Sequence, residues 1–163
     1  MRGYAKMPSR KEILASLLNE MRRLSTATVL MHQSIADHLG LNSTDHKCLD
    51  FILNREPMTA GQLSELTNLT TGAVTGVIDR LERAGYVQRV TDPKDRRRIY
   101  IQPIHEKAYA DIEPLFRPIS DATIQMCSRY SEQELMTIVD FAARAVDLSE
   151  AETARIRSEG KKN

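Results

Sequence analysis

Lys94, Arg96, Arg97 and Arg98 place four basic side chains within five positions, and the chemistry open to such a cluster is the holding of anions. By itself a cluster of this kind is usually just a solvated loop. Upstream of it, Thr71, Gly72, Thr75, Gly76, Asp79, Arg80 and Arg83 recur at a spacing that gathers them on one face of a helix. Hydroxyl and guanidinium groups on such a face suit phosphate oxygens and base edges. Each interior glycine costs a helix about 1 kcal/mol relative to alanine, so a bare backbone at Gly72 and Gly76 must serve something. Two readings stand: close approach to a bulky surface such as the floor of a DNA major groove, or tight packing against a neighbouring helix.

Other chemistry finds no support in the residue pattern. The histidines at 32, 38, 46 and 105 are scattered, and His32 and His38 do not share a helical face, so a zinc site would need help from another chain. No serine sits in a G-x-S-x-G setting and no glycine-rich phosphate loop follows a strand. Cys48 and Cys127 lack C-x-x-C spacing and read as small buried hydrophobes in a reducing compartment. The expectation is a chain that is no enzyme and needs neither metal nor cofactor.

The elements that must position the basic and hydroxyl groups lie between Met58 and Pro103. A Thr-x-x-Gln capping box, Thr59 with Gln62, opens a short helix whose apolar face is Leu63 and Leu66. Asn68 and Leu69 make a turn, and Thr70 is the expected N-cap of a second helix. That helix buries Val74, Ile78 and Leu81 and stops at Gly85, a residue suited to the left-handed position after a helix. Val87–Val90 alternates as a strand and Ile99–Ile101 returns, so Asp92 to Arg98 becomes the tip of a hairpin. A basic hairpin directly after a helix-turn-helix can contact phosphates and enter an adjacent minor groove. The combination favours DNA over helix packing as the reason for the glycines.

The run LTTGAVTGVIDRLERAGYV, followed by DPKDRRR and a return strand, resembles the winged helix-turn-helix of MarR-family regulators. Their Asp-x-x-Asp-Arg-Arg wing is matched by Asp92, Asp95, Arg96 and Arg97, and the flanking helices match in pattern, so the likeness covers nearly the whole chain. The resemblance implies a homodimer that binds double-stranded DNA, is most often a repressor, and is released by a small aromatic or phenolic ligand. It also implies that Asp95 pairs with Arg97 to fix the wing, leaving Arg96 or Arg98 for the backbone or minor groove. Some relatives sense peroxide through a cysteine near the start of the first long helix, and this sequence has none there.

The rest of the chain supplies the frame. Ser9 caps a long helix ending at Gly40, with Ile13, Leu14, Leu17, Leu18, Met21, Leu24, Met31, Ile35 and Leu39 apolar. About thirty residues at 1.5 Å each make a rod of roughly 45 Å, longer than one small domain needs, so much of its stripe should meet a partner chain. Asn42 to Asp45 starts a helix that buries Leu49, Ile52 and Leu53 and ends at Pro57. His105 to Tyr130 reads helical, with Pro114 and Pro118 expected to kink or interrupt it. Ser131 and Glu134 form a capping box for a last helix whose Leu135, Ile138, Val139, Phe141, Ala142, Ala145 and Val146 are apolar almost all round. Such a helix points to a dimer interface built from Ile13, Leu17, Leu135, Ile138, Phe141, Ala142 and Ala145.

The fold expected is mainly α with a small β-hairpin wing: a winged helix-turn-helix plus a helical dimerisation region, acting as one unit over 9–148. Within it, 44–103 is the DNA-binding core, with the helix-turn-helix at about 59–84 and the wing at 87–102. Residues 9–42 and 104–148 are the dimerisation part, and 1–8 and 149–163 are tails. The 163 residues suit one domain of modest core. The formal charge of +1 does not announce a nucleic-acid binder, but seven basic against four acidic residues from Asp79 to Arg98 give a local +3. No apolar run nears the ~20 residues needed to cross a bilayer and the N-terminus lacks a signal-peptide core, so no membrane partner and a cytoplasmic protein are expected.

Expected DNA contacts are Thr70, Thr71, Gly72, Thr75, Gly76, Arg80, Arg83, Lys94, Arg96, Arg97 and Arg98. Thr71 and Thr75 are candidates for base edges or phosphates, Arg80 and Arg83 for phosphates, and Asp79 for orienting a neighbouring arginine or a plain surface ion pair. A metal- or redox-responsive regulator of the same fold is the nearest alternative. A winged helix used for protein docking is the other, though it should lack both the hydroxyls and the wing arginines found here.

Overall fold

The computed structural model describes residues 7–160. It divides into two compact units with the boundary between Leu115 and Phe116. The first holds α1 (Arg10–His38), α2 (Ser43–Asn54), β1 (Met58–Thr59), α3 (Ala60–Thr67), α4 (Thr71–Arg83), β2 (Val87–Thr91), β3 (Ile99–Pro103) and the first half of α5 (His105–Cys127). The second holds the rest of α5 and α6 (Glu132–Gly160). Among the described residues no helix is long and apolar enough to cross a membrane.

Local chemistry sets the helix starts. Ser9 with Glu12, Thr59 with Gln62 and Ser131 with Glu134 each close a reciprocal capping box, satisfying backbone donors that a helix start leaves over. Asn42 caps α2 by accepting from the Asp45 amide at 2.8 Å, and Thr70 caps α4 by accepting from the Ala73 amide at 3.3 Å. The turn between α3 and α4 is made by Asn68 at φ 59°, a left-handed conformation that asparagine tolerates. Gly85, at φ +80°, ends α4 with Lys107 close against it, so a side chain there would be both strained and crowded.

The sheet is antiparallel with strand order β1-β3-β2. Its main pair sets Val87 opposite Pro103 and Thr91 opposite Ile99, while β1 sets Met58 opposite Ile101. The third strand is an addition to the hairpin expected from the sequence: two residues are too few to show an alternation of period two. Leu49, Ile52, Leu63, Val74, Val77, Ile78, Leu81, Val87 and Ile101 form the heart of one core beneath α2, α3, α4 and the sheet.

Two further expectations change. Of the two outcomes expected at Pro114 and Pro118, interruption does not occur: α5 spans both and ends at Cys127 rather than Tyr130. Each proline removes one backbone donor, and both lie exposed, where water can take up the carbonyls they leave unbonded. Helix α6 continues to Gly160, so most of the expected tail at 149–163 is helical, and 161–163 lie outside the described residues, as do 1–6 of the tail expected at 1–8. Ion pairs of Arg155 with Glu152 and Glu159 line this last stretch.

Candidate nucleic-acid interface

Helix α4 buries Val74, Val77, Ile78 and Leu81 and turns Thr71, Gly72, Ala73 and Thr75 outward. The Thr75 hydroxyl donates to the Thr71 carbonyl at 3.0 Å, which leaves its oxygen lone pairs facing out. A Cβ added at Gly72 would meet nothing within 4 Å, so no neighbouring helix accounts for that glycine. At Gly76 the nearest atom to such a Cβ is Nη1 of Arg80, at 3.4 Å. Beside this face, Asn42, Ser43 and Thr44 at the start of α2 form the opposite wall of an open cleft of about 550 Å³.

Arg80, expected to hold a phosphate, is also engaged within the fold. Its Nε and Nη2 each donate to the Asp45 carboxylate at 2.7 Å. Asp45 is buried and also accepts from the Asn42 side chain at 2.9 Å, so the start of α2 and the last turn of α4 are tied by one carboxylate. The pairing holds Arg80 firmly in its charged form, the hydrogen bonds to Asp45 outweighing a small cost of burial. In the sequence Asp45 marks only the start of a helix, because nothing local links positions 35 residues apart.

Arg89 is the second residue that sequence reasoning missed. From β2 it donates to Asp79 and to Glu82 on α4, and so fastens the base of the hairpin to that helix. Asp79 thus pairs with an arginine on a strand rather than on its own helix, an arrangement that suits either role expected of it. Of the seven basic residues between Asp79 and Arg98, Arg80 and Arg89 serve these internal pairings. Arg83, Lys94, Arg96, Arg97 and Arg98 are all exposed.

The wing tip is folded by its acids. Asp92 Oδ1 accepts from the backbone amides of Lys94 at 2.7 Å and Asp95 at 3.3 Å. Asp95 Oδ1 accepts from the Arg97 amide at 3.1 Å and lies 3.8 Å from the Arg97 Nε. Two backbone bonds, Asp92 N to Arg98 O and Arg98 N to Asp95 O, close the loop. The Arg97 side chain is 98% exposed, and the Arg98 guanidinium stands 6.0 Å from the centre of the Tyr100 ring. The Asp-x-x-Asp spacing thus supplies turn acceptors, and the arginines it holds up project into solvent.

The expected dimer residues lie on faces that this chain leaves uncovered: Ile13, Leu17, Ile138 and Phe141 are exposed, as is Ala142, while Leu135 and Ala145 are partly covered. Helix α1 buries only Ile35 and Ala36 and α6 buries nothing.

Among the described residues no group of three or more His, Cys, Asp or Glu could hold a metal. His32 and His46 lie edge to face with ring centres 5.7 Å apart, and burial, then the neighbouring His32, holds the His46 pKa below its ordinary value. Burial, aided by Asp45, pushes the Cys48 thiol up to about 11, far from a reactive thiolate. Cys127, at the end of α5, is half-buried.

Residues 41–99 match the MarR family. Over 149 residues the chain is 45% identical to YcgE, an uncharacterized HTH-type transcriptional regulator of Bacillus subtilis (strain 168), covering 91% of this chain and 96% of that one. Among solved structures, a MarR family protein from Bacillus stearothermophilus superposes with a TM-score of 0.65 at 20% identity, covering 88% of this chain and 99% of the other. A mutant of S. aureus MepR bound to an oligodeoxyribonucleotide superposes with a TM-score of 0.52 at 15% identity, covering 86% and 98%.

Proposed function

From the premise that this chain belongs to the MarR family, and is a DNA-binding transcriptional regulator rather than an enzyme, we propose that it acts as a cytoplasmic homodimeric repressor. Each subunit lays α4 in a major groove and its wing along the neighbouring backbone or minor groove, on a pseudo-palindromic operator. Thr71 and Thr75 meet base edges or phosphates, while Gly72 and Gly76 let the helix backbone sit close. Arg83, Lys94, Arg96, Arg97 and Arg98 bind the backbone or reach the minor groove. The single observation that carries this reading is Gly72: a position in the first turn of α4 left bare, with open space before it, on the same exposed face as two threonine hydroxyls. A relative of the same fold held on an oligodeoxyribonucleotide supports the choice of partner.

Dimerisation through α1, α5 and α6 follows from the apolar side chains those helices leave exposed, which a single chain in water would not retain. The dimer sets the two recognition helices about 34 Å apart, one helical turn of DNA. A small aromatic or phenolic ligand that favours another spacing releases the operator by shifting that equilibrium.

The test is selection of bound fragments from the host genome, followed by anisotropy titrations at several salt concentrations. Binding that falls steeply with salt, to a duplex with two related half-sites, is expected. Indifference to every genomic duplex in dilute buffer contradicts the reading. Aromatic acids and phenols added at saturation should loosen the complex, and no effect from any of them removes that class of effector.

A further inference from the structure

We propose that Asp45 is a positioning residue for DNA binding, acting through Arg80 to present the remaining Nη1 edge of its guanidinium to a phosphate along the cleft between α2 and α4. The inference rests on the DNA-binding reading above and assigns a mechanism to one part of that surface.

The pair is lopsided in a way that a plain stabilising bridge does not require. The Asp45 side chain is 2% exposed, whereas that of Arg80 is 46% exposed. The acid is inside and the base looks out. A buried ion pair is weak evidence of stabilisation, since desolvation offsets most of the attraction. Two parallel bonds along the Nε–Nη2 edge do something else: they fix the plane of the guanidinium, as a bidentate fork does.

With that plane fixed, Nη1 has one place to be. It lies over Gly76, 3.4 Å from where a Cβ would stand, and Arg80 lines the open cleft together with Gly72, Ser43 and Thr44. An arginine pinned in this way loses little further freedom when a phosphate arrives, which lowers the cost of the contact. Asp45 is itself held, by the Asn42 amide that also caps α2, so the aim of Arg80 is referred to the frame of the fold rather than to its own helix.

The charge makes the test sharp. Asp45→Asn removes one negative charge per subunit close to the DNA, and electrostatics alone then demands tighter binding. A positioning role demands the reverse. Anisotropy titrations on a selected genomic duplex, at a temperature where circular dichroism shows the variant folded, should find D45N weaker by about tenfold. In an Arg80→Gln background the same change should weaken nothing further. Should the asparagine variant of the dimer fail to fold, the unsubstituted protein still decides. Nitrogen-15 spectra of its arginine side chains should show a slowly exchanging Arg80 Nε–H, and the duplex should shift the Arg80 resonances.

Tighter or unchanged binding by D45N, an equal loss with or without Arg80, or an Arg80 signal indifferent to DNA overturns the inference while leaving the DNA-binding reading intact. If the unsubstituted protein binds no duplex at all, that broader reading fails, and this one with it.

Discussion

Arg97 holds its side chain almost wholly in solvent, with its backbone amide tied to Asp95 and its guanidinium in only a long, exposed ion pair with the same carboxylate. Arg97→Ala should therefore leave the melting temperature within the small range typical of surface changes. DNA affinity should fall and its salt dependence flatten by about one phosphate per subunit. Anisotropy at several salt concentrations reads both, and unchanged affinity and slope would remove this side chain from the interface. His46 makes a different prediction. Its pKa is lowered in the folded chain by burial and by His32, whereas the unfolded chain protonates near the ordinary value of about 6.5. Above that value both states are neutral there and the residue has no effect on stability. As pH falls below it, the unfolded state takes up the proton first and stability declines, until the lowered native value is passed. Urea midpoints should thus drop from pH 7.5 to 5.5, and His46→Gln should shrink the drop. A full-sized drop in the variant would place its cause elsewhere.

Helix α4 carries the clearest conflict between stability and use. With open space in front of Gly72, Gly72→Ala should raise the stability of the free protein by about 0.5 kcal/mol, less than the interior value because the residue lies in the first turn, since the helix regains propensity at no steric cost. The same methyl group should weaken DNA binding, because it stands where the backbone has to approach the groove. A thermal melt and a binding titration on one sample test both halves, and a variant that gains stability and binds equally well would leave the glycine unexplained. This element was legible in the sequence as far as its signals were local. The capping box of Thr59 with Gln62, the cap at Thr70 and the stop at Gly85 all involve residues within a few positions of each other. Strand β1 was not legible, because two residues carry no period. The pairing of Asp45 with Arg80 was not legible either, because it is made by the packing of α2 on α4. The reach of α6 to Gly160 was not legible, because a charged segment serves a frayed tail and an ion-paired helix alike.

At the scale of the molecule, the long apolar stripes of α1 and α6 were plain from their spacing, and so was the basic wing; the second copy proposed to cover those stripes lies outside a single chain. Leu17 and Phe141 are both exposed in the isolated subunit. Leu17→Glu and Phe141→Glu should each shift the protein from dimer to monomer in sedimentation, with little change in the winged unit's own fold. Each should cost far more DNA affinity than the loss of any one wing arginine, since a monomer meets a single groove. The account as a whole holds that two copies of the chain press their recognition helices and wings onto one duplex. The most direct measurement of that is a sedimentation titration of a labelled, genome-selected duplex with the purified protein. The account predicts two chains per duplex, bound together at micromolar protein or below and driven off by added salt. A complex of one chain, or no complex in dilute buffer, would contradict it.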